Sequence, residues 1–151
     1  MDGLLVVDVP PEESAQMRES ARHLGLDWVS LVAPTTGVVR ARQIAAGASG
    51  FIYLVSMTGV TGGRLANVEA LGPMVAAIRQ QSPLPICIGF GVRDRESACA
   101  ASRVADGVVV GSVLVAALEA GQNDGSGPKR VYELVKQLRG GVDEAMMGGS
   151  A

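Results

Sequence analysis

Histidine occurs once in the 151 residues, as His23, and cysteine twice, as Cys87 and Cys99. A single histidine excludes a multi-histidine metal site. Two cysteines, outside any CxxC motif or Cys/His cluster, make neither a disulfide framework nor a zinc site. Aromatic residues are 3% of the chain and Lys plus Arg number 13 against 15 Asp plus Glu. With a net charge of -2 and a pI near 5.4, the chain has no electrostatic footprint for nucleic acid. Long hydrophobic runs are also missing. The longest nearly apolar stretch, residues 107–118, is about 12 residues, against roughly 18–20 for a bilayer span. The first residues, Met1-Asp2-Gly3, lack the cationic region of a signal peptide. No membrane association is expected, and a cytosolic chain is the default.

What is present is apolar and rich in glycine: 48% hydrophobic residues, 20 Gly and a mean hydropathy of +0.28. That composition excludes a disordered segment, and the glycines have no three-residue period, which excludes a collagen-like chain. Five β-like runs stand out, at residues 4–9, 28–33, 51–56, 84–88 and 107–110. Most are apolar almost throughout, as in a parallel sheet covered on both faces. Helical patterns alternate with them, over 12–24, 38–46, 68–80, 95–102 and 112–120, with Asn67 and Asp94 as N-caps. Glu12 and Glu13 are expected in the first turn of the first helix, where the macrodipole favours negative charge. A polar linker, 122–127, precedes a last helix over 129–138. Residues 140–151, with four glycines, are expected as a flexible, fraying tail.

The order is therefore β-α five times over, with strand starts at 4, 28, 51, 84 and 107. Repeats of this size build a right-handed β/α sheet. The third repeat is about ten residues longer, and the excess is a Gly/Thr-rich loop over 57–66, a functional position in such folds. A Rossmann domain would show GxGxxG after its first strand; here that strand ends Asp8-Val9-Pro10-Pro11. Glycines gather instead after the last two strands, at Gly89-Phe90-Gly91 and Gly111-Ser112. This is where (β/α)8 barrels hold phosphate. A full barrel needs about 250 residues, so the chain reads as five of eight units, strands 4 to 8, with residues 1–139 forming the partial barrel. Its first strand would then be an unprotected edge, and association or partial melting of the isolated chain is expected.

Several residues could carry chemistry. Asp8, at a strand end, reads either as an acid, base or positioning carboxylate or as the cap of the next turn. Tyr53 shares a strand face with Phe51 and Val55 and either fills the core or faces a ligand. Phe90, between two glycines, suits stacking on a planar ligand. The loop Ser56-Met57-Thr58-Gly59-Val60-Thr61-Gly62-Gly63 reads as an anion-binding lid. Gly91, Gly111 and Ser112 offer backbone N–H groups to a phosphate monoester. Cys87 and Cys99 read as inert packing, and His23 as a solvent-facing residue at a helix C-terminus.

Four segments taken together carry a resemblance. Asp8-Val9-Pro10-Pro11-Glu12-Glu13-Ser14, Tyr53-Leu54-Val55-Ser56 leading to Gly59-Val60-Thr61-Gly62, Gly89-Phe90-Gly91-Val92, and Ala105-Asp106-Gly107-Val108-Val109-Val110-Gly111-Ser112 resemble the tryptophan synthase alpha chain. Order and spacing agree from about residue 2 to residue 138. The tyrosine with its GVTG loop is the specific part, and it argues against other phosphate-binding barrels of aromatic amino acid or thiamine metabolism. The resemblance implies a partial (β/α)8 barrel of the ribulose-phosphate-binding type. It implies a carbon–carbon lyase of tryptophan biosynthesis that cleaves indole-3-glycerol phosphate to indole and glyceraldehyde 3-phosphate. Indole then passes through a tunnel to a partner beta chain, within a heterotetramer. Pyridoxal phosphate belongs to that beta chain, and no cofactor is implied here. Tyr53, Thr61 and Phe90 are implied to contact substrate, and Gly62, Gly91, Gly111 and Ser112 to hold its phosphate. Asp8 and Pro10 lie near the region that communicates with the beta chain. The location implied is cytoplasmic, or the plastid stroma for a plant or algal source. One departure is larger than the rest. The family's Glu/Asp acid–base pair comes from around the second barrel strand, and no segment here corresponds to it. A fragment inactive by itself is expected, or a non-catalytic phosphate-binding half-barrel. A smaller departure is Met57-Thr58 in the loop.

Overall fold

The structure, a computed structural model, describes residues 1–56, 68–89 and 91–148, with the side chain of Glu69 outside the description. Five strands form one sheet: β1 (Gly3–Leu5), β2 (Asp27–Val32), β3 (Ile52–Val55), β4 (Ile86–Gly89) and β5 (Gly107–Val109). All neighbours are parallel and the spatial order is β1-β2-β3-β4-β5, the order of the chain. A doubly wound sheet reverses its order at a switch point; this one never does. Crossovers of one hand then keep the helices on one side of the sheet.

The core shows the same. Val32, Ile52, Leu54, Ile86 and Ile88 have no exposed surface, and they pack with Ala41, Ala45, Val75, Ile78, Ala98, Ala101 and Leu138. These partners come from α2 (Val38–Ala46), α3 (Gly72–Arg79), α4 (Arg95–Ser102) and α6 (Gly127–Gly148), so four helices share one sheet face. Each buried Ile or Leu side chain is worth about 1.5–3 kcal/mol. Side chains of alternate parity face the other way. There Leu31, Tyr53, Val55, Cys87 and Val109 are only half-buried. This second face is the inner wall of an arc.

Several element ends differ from the sequence reading. The first strand, expected over 4–9, pairs only at Gly3–Leu5, and Val6 and Val7 are exposed. An edge strand has a ladder on one side only, so its end peels easily. Helix α1 (Ala15–His23) starts later than expected, and Glu12 and Glu13 precede it. Their turn is closed by the Pro10 carbonyl, which accepts from the N–H groups of Glu13 (3.0 Å) and Ser14 (3.1 Å). Glu12 instead pairs with Arg40 through both carboxylate oxygens, which lowers its pKa to about 2. The pattern over 68–80 divides into a 3-10 turn, Val68–Leu71, and α3. Pro73 in the first turn of α3 has no N–H to continue the preceding turn. Asn67, expected as its cap, lies outside the described residues.

The largest difference is at the C-terminus. The last helix does not stop at residue 138 but runs to Gly148, so residues 140–148 of the expected fraying tail are helical. Gly141 and Ala145 are buried. A Cβ at Gly141 would collide with the Arg95 carbonyl oxygen and lie 3.1 Å from the Cys99 nitrogen. The glycine that reads as a breaker is what lets α6 lie against α4, and that contact outweighs its propensity cost of about 1 kcal/mol. An Arg95–Glu144 ion pair of 3.2 Å crosses the same interface.

Candidate functional site at the carboxyl edge of the sheet

Parallel strands bring the carboxyl ends of β3, β4 and β5 to one edge. Two hydrogen bonds mark it: the Ser56 amide donates to the Gly89 carbonyl (3.0 Å), and the Ser56 hydroxyl donates to the same oxygen (2.8 Å). Ser56 is fully buried, so this pairing locks the end of β3 to the end of β4. Tyr53 lies on the inner face beside Cys87 in register, and its ring crosses Gly89. A Cβ there would collide with the Tyr53 hydroxyl and lie 2.7 Å from Cε1. Burial raises the Tyr53 pKa, so the phenol is a neutral hydrogen-bond donor near neutral pH. Of the two sequence alternatives for Tyr53, the structure favours the inner wall of the arc over the helix-covered core.

Gly91 follows β4 with φ +84°, the left-handed region in which glycine pays no steric cost. After β5, Gly111 is the N-cap of α5 (Ser112–Ala120), and no side chain caps that end. The first N–H groups of a helix have no intrahelical acceptor, and the macrodipole adds positive potential there. Gly111 and Ser112 are exposed. An anion at this edge meets open backbone donors at an uncapped helix end. Gly91 and Gly111-Ser112 thus occupy the expected edge beside Tyr53. Thr61, Gly62 and Phe90 lie outside the described residues.

Asp8 is elsewhere. It stands three residues past the end of β1, is exposed and has φ +62°, an uncommon conformation for a non-glycine residue. It lines a cavity of about 430 Å³ between the β1 exit, α1 and α2, together with Arg18, Trp28 and Arg40. Two strands, β2 and β3, separate it in the sheet order from β4 and its glycine loop. Cys87 is half-buried on the inner face, and burial together with the nearby Asp106 raises its thiol pKa. His23 is exposed and 2.9 Å from Glu19. Among the described residues no group of three or more His, Cys, Asp or Glu could hold a metal ion, and no helix is long and apolar enough to cross a membrane.

Sequence reasoning missed three supports of this site. Asp106 accepts from the Ile86 amide (2.9 Å) and from Arg79 (2.8 Å), fixing where β4 starts. Ser56 and Gly89 act at the other end. The small residue at 89, diagonal to a tyrosine on the neighbouring strand, was the available signal for Gly89. Ser56 reads as the start of the lid and Asp106 as part of the resemblance, and nothing in the sequence marks the structural roles they take.

A singly wound β/α arc with an uncapped helix and glycine turns at its carboxyl edge defines the class: (β/α)8 barrels, here five consecutive units. The chain belongs to the tryptophan synthase alpha chain family, whose profile matches residues 1–143. It is 45% identical to the alpha chain of Thioalkalivibrio sulfidiphilus over 95% of its own length and 54% of that protein. The alpha chain of Halorhodospira halophila is 41% identical over 100% of this chain and 55% of that one. Solved structures agree: tryptophan synthase of Mycobacterium tuberculosis superposes with a TM-score of 0.80 at 35% identity, covering 93% of this chain and 51% of that one. The alpha subunit of Legionella pneumophila gives 0.79 at 28%, covering 95% and 52%. The chain spans about half the length of the relatives it matches.

Proposed function

We propose that this chain is the phosphate-gripping half of a lyase that cleaves indole-3-glycerol phosphate to indole and glyceraldehyde 3-phosphate, and that indole passes to a pyridoxal phosphate-dependent beta chain. The observation that carries the reading is the carboxyl edge, where Tyr53 on β3, Gly91 just after β4 and the Gly111-Ser112 end of α5 just after β5 follow adjacent strands in a member of this family. Gly91, Gly111 and Ser112, with Gly62 of the long loop, would hold the phosphate through backbone N–H groups. Tyr53, Thr61 and Phe90 would line the indole and glycerol portion. No cofactor is needed at this edge.

Retro-aldol cleavage also needs a proton delivered to the ring carbon and one removed from a glycerol hydroxyl. Asp8 is the carboxylate at a strand exit available for such work, and it stands on the far flank. Each positioned acid or base contributes about 10²–10⁴-fold, so the chain alone is expected to bind phosphate esters with a Kd of about 1 mM and to release no indole. Indole release by the purified chain, with and without a beta chain, tests this. Turnover by the chain alone, abolished by Asp8→Asn, would overturn it.

A further inference from the structure

Residues 6–9 part from the sheet while β2 continues, and the cavity of about 430 Å³ opens between that segment, β2, α1 and α2. Trp28 and Ser30 belong to its wall. They share parity with Val32, so they stand on the helix-covered face of β2, opposite the face that carries Tyr53. Large apolar side chains usually fill such positions in a parallel sheet. Ile52, in register with Ser30 on β3, has no exposed surface. A serine in that layer leaves empty volume and adds a hydroxyl.

The polar groups around this volume are unspent. Trp28 is 7% exposed and Ser30 8%. Among the described residues, neither the Trp28 indole N–H nor the Ser30 hydroxyl has a hydrogen-bond partner. Neither is sealed off: the sealed, unpartnered side-chain atoms among the described residues are Arg42 Nε and Ser102 Oγ. Arg18, half-buried on α1, lines the same cavity. Gly47 makes room for it, since a Cβ there would collide with Arg18 Nη1. Among the described residues the Arg18 guanidinium makes no ion pair or hydrogen bond, whereas the other cation of the wall, Arg40, is engaged by Glu12. Buried polar groups are ordinarily bonded. Here a permanent cation and a buried hydroxyl share one cavity with Val6, Val9 and Ile44, and a guanidinium is matched by the two oxygens of a carboxylate. Asp8, also on the wall, is exposed and makes no ion pair with Arg18.

We propose that the cavity between β2, α1 and α2 binds a small apolar monocarboxylate, its carboxylate on Arg18 and Ser30 and its apolar body against Trp28 and Ile44. The inference stands on this cavity alone and does not depend on the lyase reading. Trp28 is the single tryptophan of the chain, so its fluorescence reports on the site directly. The experiment titrates the chain with hexanoate, and with hexanol and hexylamine as probes of the same body with a different head. Hexanoate is expected to shift the emission saturably, with hexanol at least ~10-fold weaker and hexylamine inactive. Inorganic phosphate, which lacks the apolar body, should not displace hexanoate. Arg18→Gln should weaken hexanoate at least ~10-fold, and Arg22→Gln, an exposed residue paired with Glu19, should leave it unchanged. Ser30→Val places a methyl where a buried hydroxyl lacks a partner, so it should keep or raise the denaturation midpoint while weakening hexanoate. No saturable shift, equal binding of hexanol, displacement by phosphate, or unchanged affinity in Arg18→Gln or Ser30→Val would each overturn the proposal.

Discussion

Tyr53 and Gly89 show how one missing side chain positions another. The ring of Tyr53 occupies the volume a Cβ at 89 would take, and burial raises its pKa. Gly89→Ala should therefore push the ring toward solvent and bring the Tyr53 pKa back toward the ordinary phenol value of about 10. Ultraviolet titration of phenolate in a Tyr132→Phe background reads this, since these are the two tyrosines of the chain. An unchanged titration would show that the ring does not depend on Gly89. Gly91 carries a different constraint, its φ of +84°. Gly91→Ala is expected to cost about 1 kcal/mol or more, seen as a lower denaturation midpoint.

At the scale of elements, α4 and α6 hold contrasting sites. Asp94 caps α4 with a reciprocal box: its carboxylate accepts from the Ser97 amide at 2.8 Å, and the Ser97 hydroxyl accepts from the Asp94 amide at 3.1 Å. Asp94→Ala is expected to cost about 1 kcal/mol. The Ser97 hydrogen bonds lower the Asp94 pKa, so the folded state binds this proton less readily than the unfolded chain. The contribution is full above the ordinary aspartate range and is lost as pH falls through the depressed folded-state value. Denaturation at neutral and acidic pH should show the Asp94→Ala deficit shrinking in acid. Gly140 and Gly141, adjacent in α6, should respond with opposite sign. An added Cβ at 140 has Arg95 Nη1 as its nearest neighbour, at 3.5 Å, so Gly140→Ala should stabilise by up to about 1 kcal/mol through helix propensity. At 141 the obstacle is the Arg95 backbone, and Gly141→Ala should destabilise by about 1–3 kcal/mol. Chemical denaturation of the two variants side by side checks the pair.

Across the whole molecule stability is graded. β2, β3 and β4 contribute Val32, Ile52, Leu54, Ile86 and Ile88, all without exposed surface, whereas β1 is a three-residue edge and α5 buries no residue. Local opening costs least where few apolar contacts are lost. Native-state amide exchange should be slowest in β3 and β4 and fastest in β1 and the first turn of α5. Uniform protection along the arc would contradict this gradient.

The sequence alone determined the β/α alternation, the number of units, the parallel sheet and the barrel class, because these follow from local apolar runs, periodicity and where glycines fall after strands. It also placed Gly111-Ser112 at a helix start and Asp94 at a cap, since both act on neighbouring backbone. Tertiary structure alone decided the rest. β1 shortened because an edge has one partner. Glu12 found Arg40 across 28 residues. Tyr53 turned to the inner wall because the register sets its parity. Asp106 became a clamp on Ile86, and α6 ran past Gly140 and Gly141 because packing against α4 needed Gly141 small. Each of these depends on a neighbour distant in sequence, and no local pattern encodes which residue that neighbour will be.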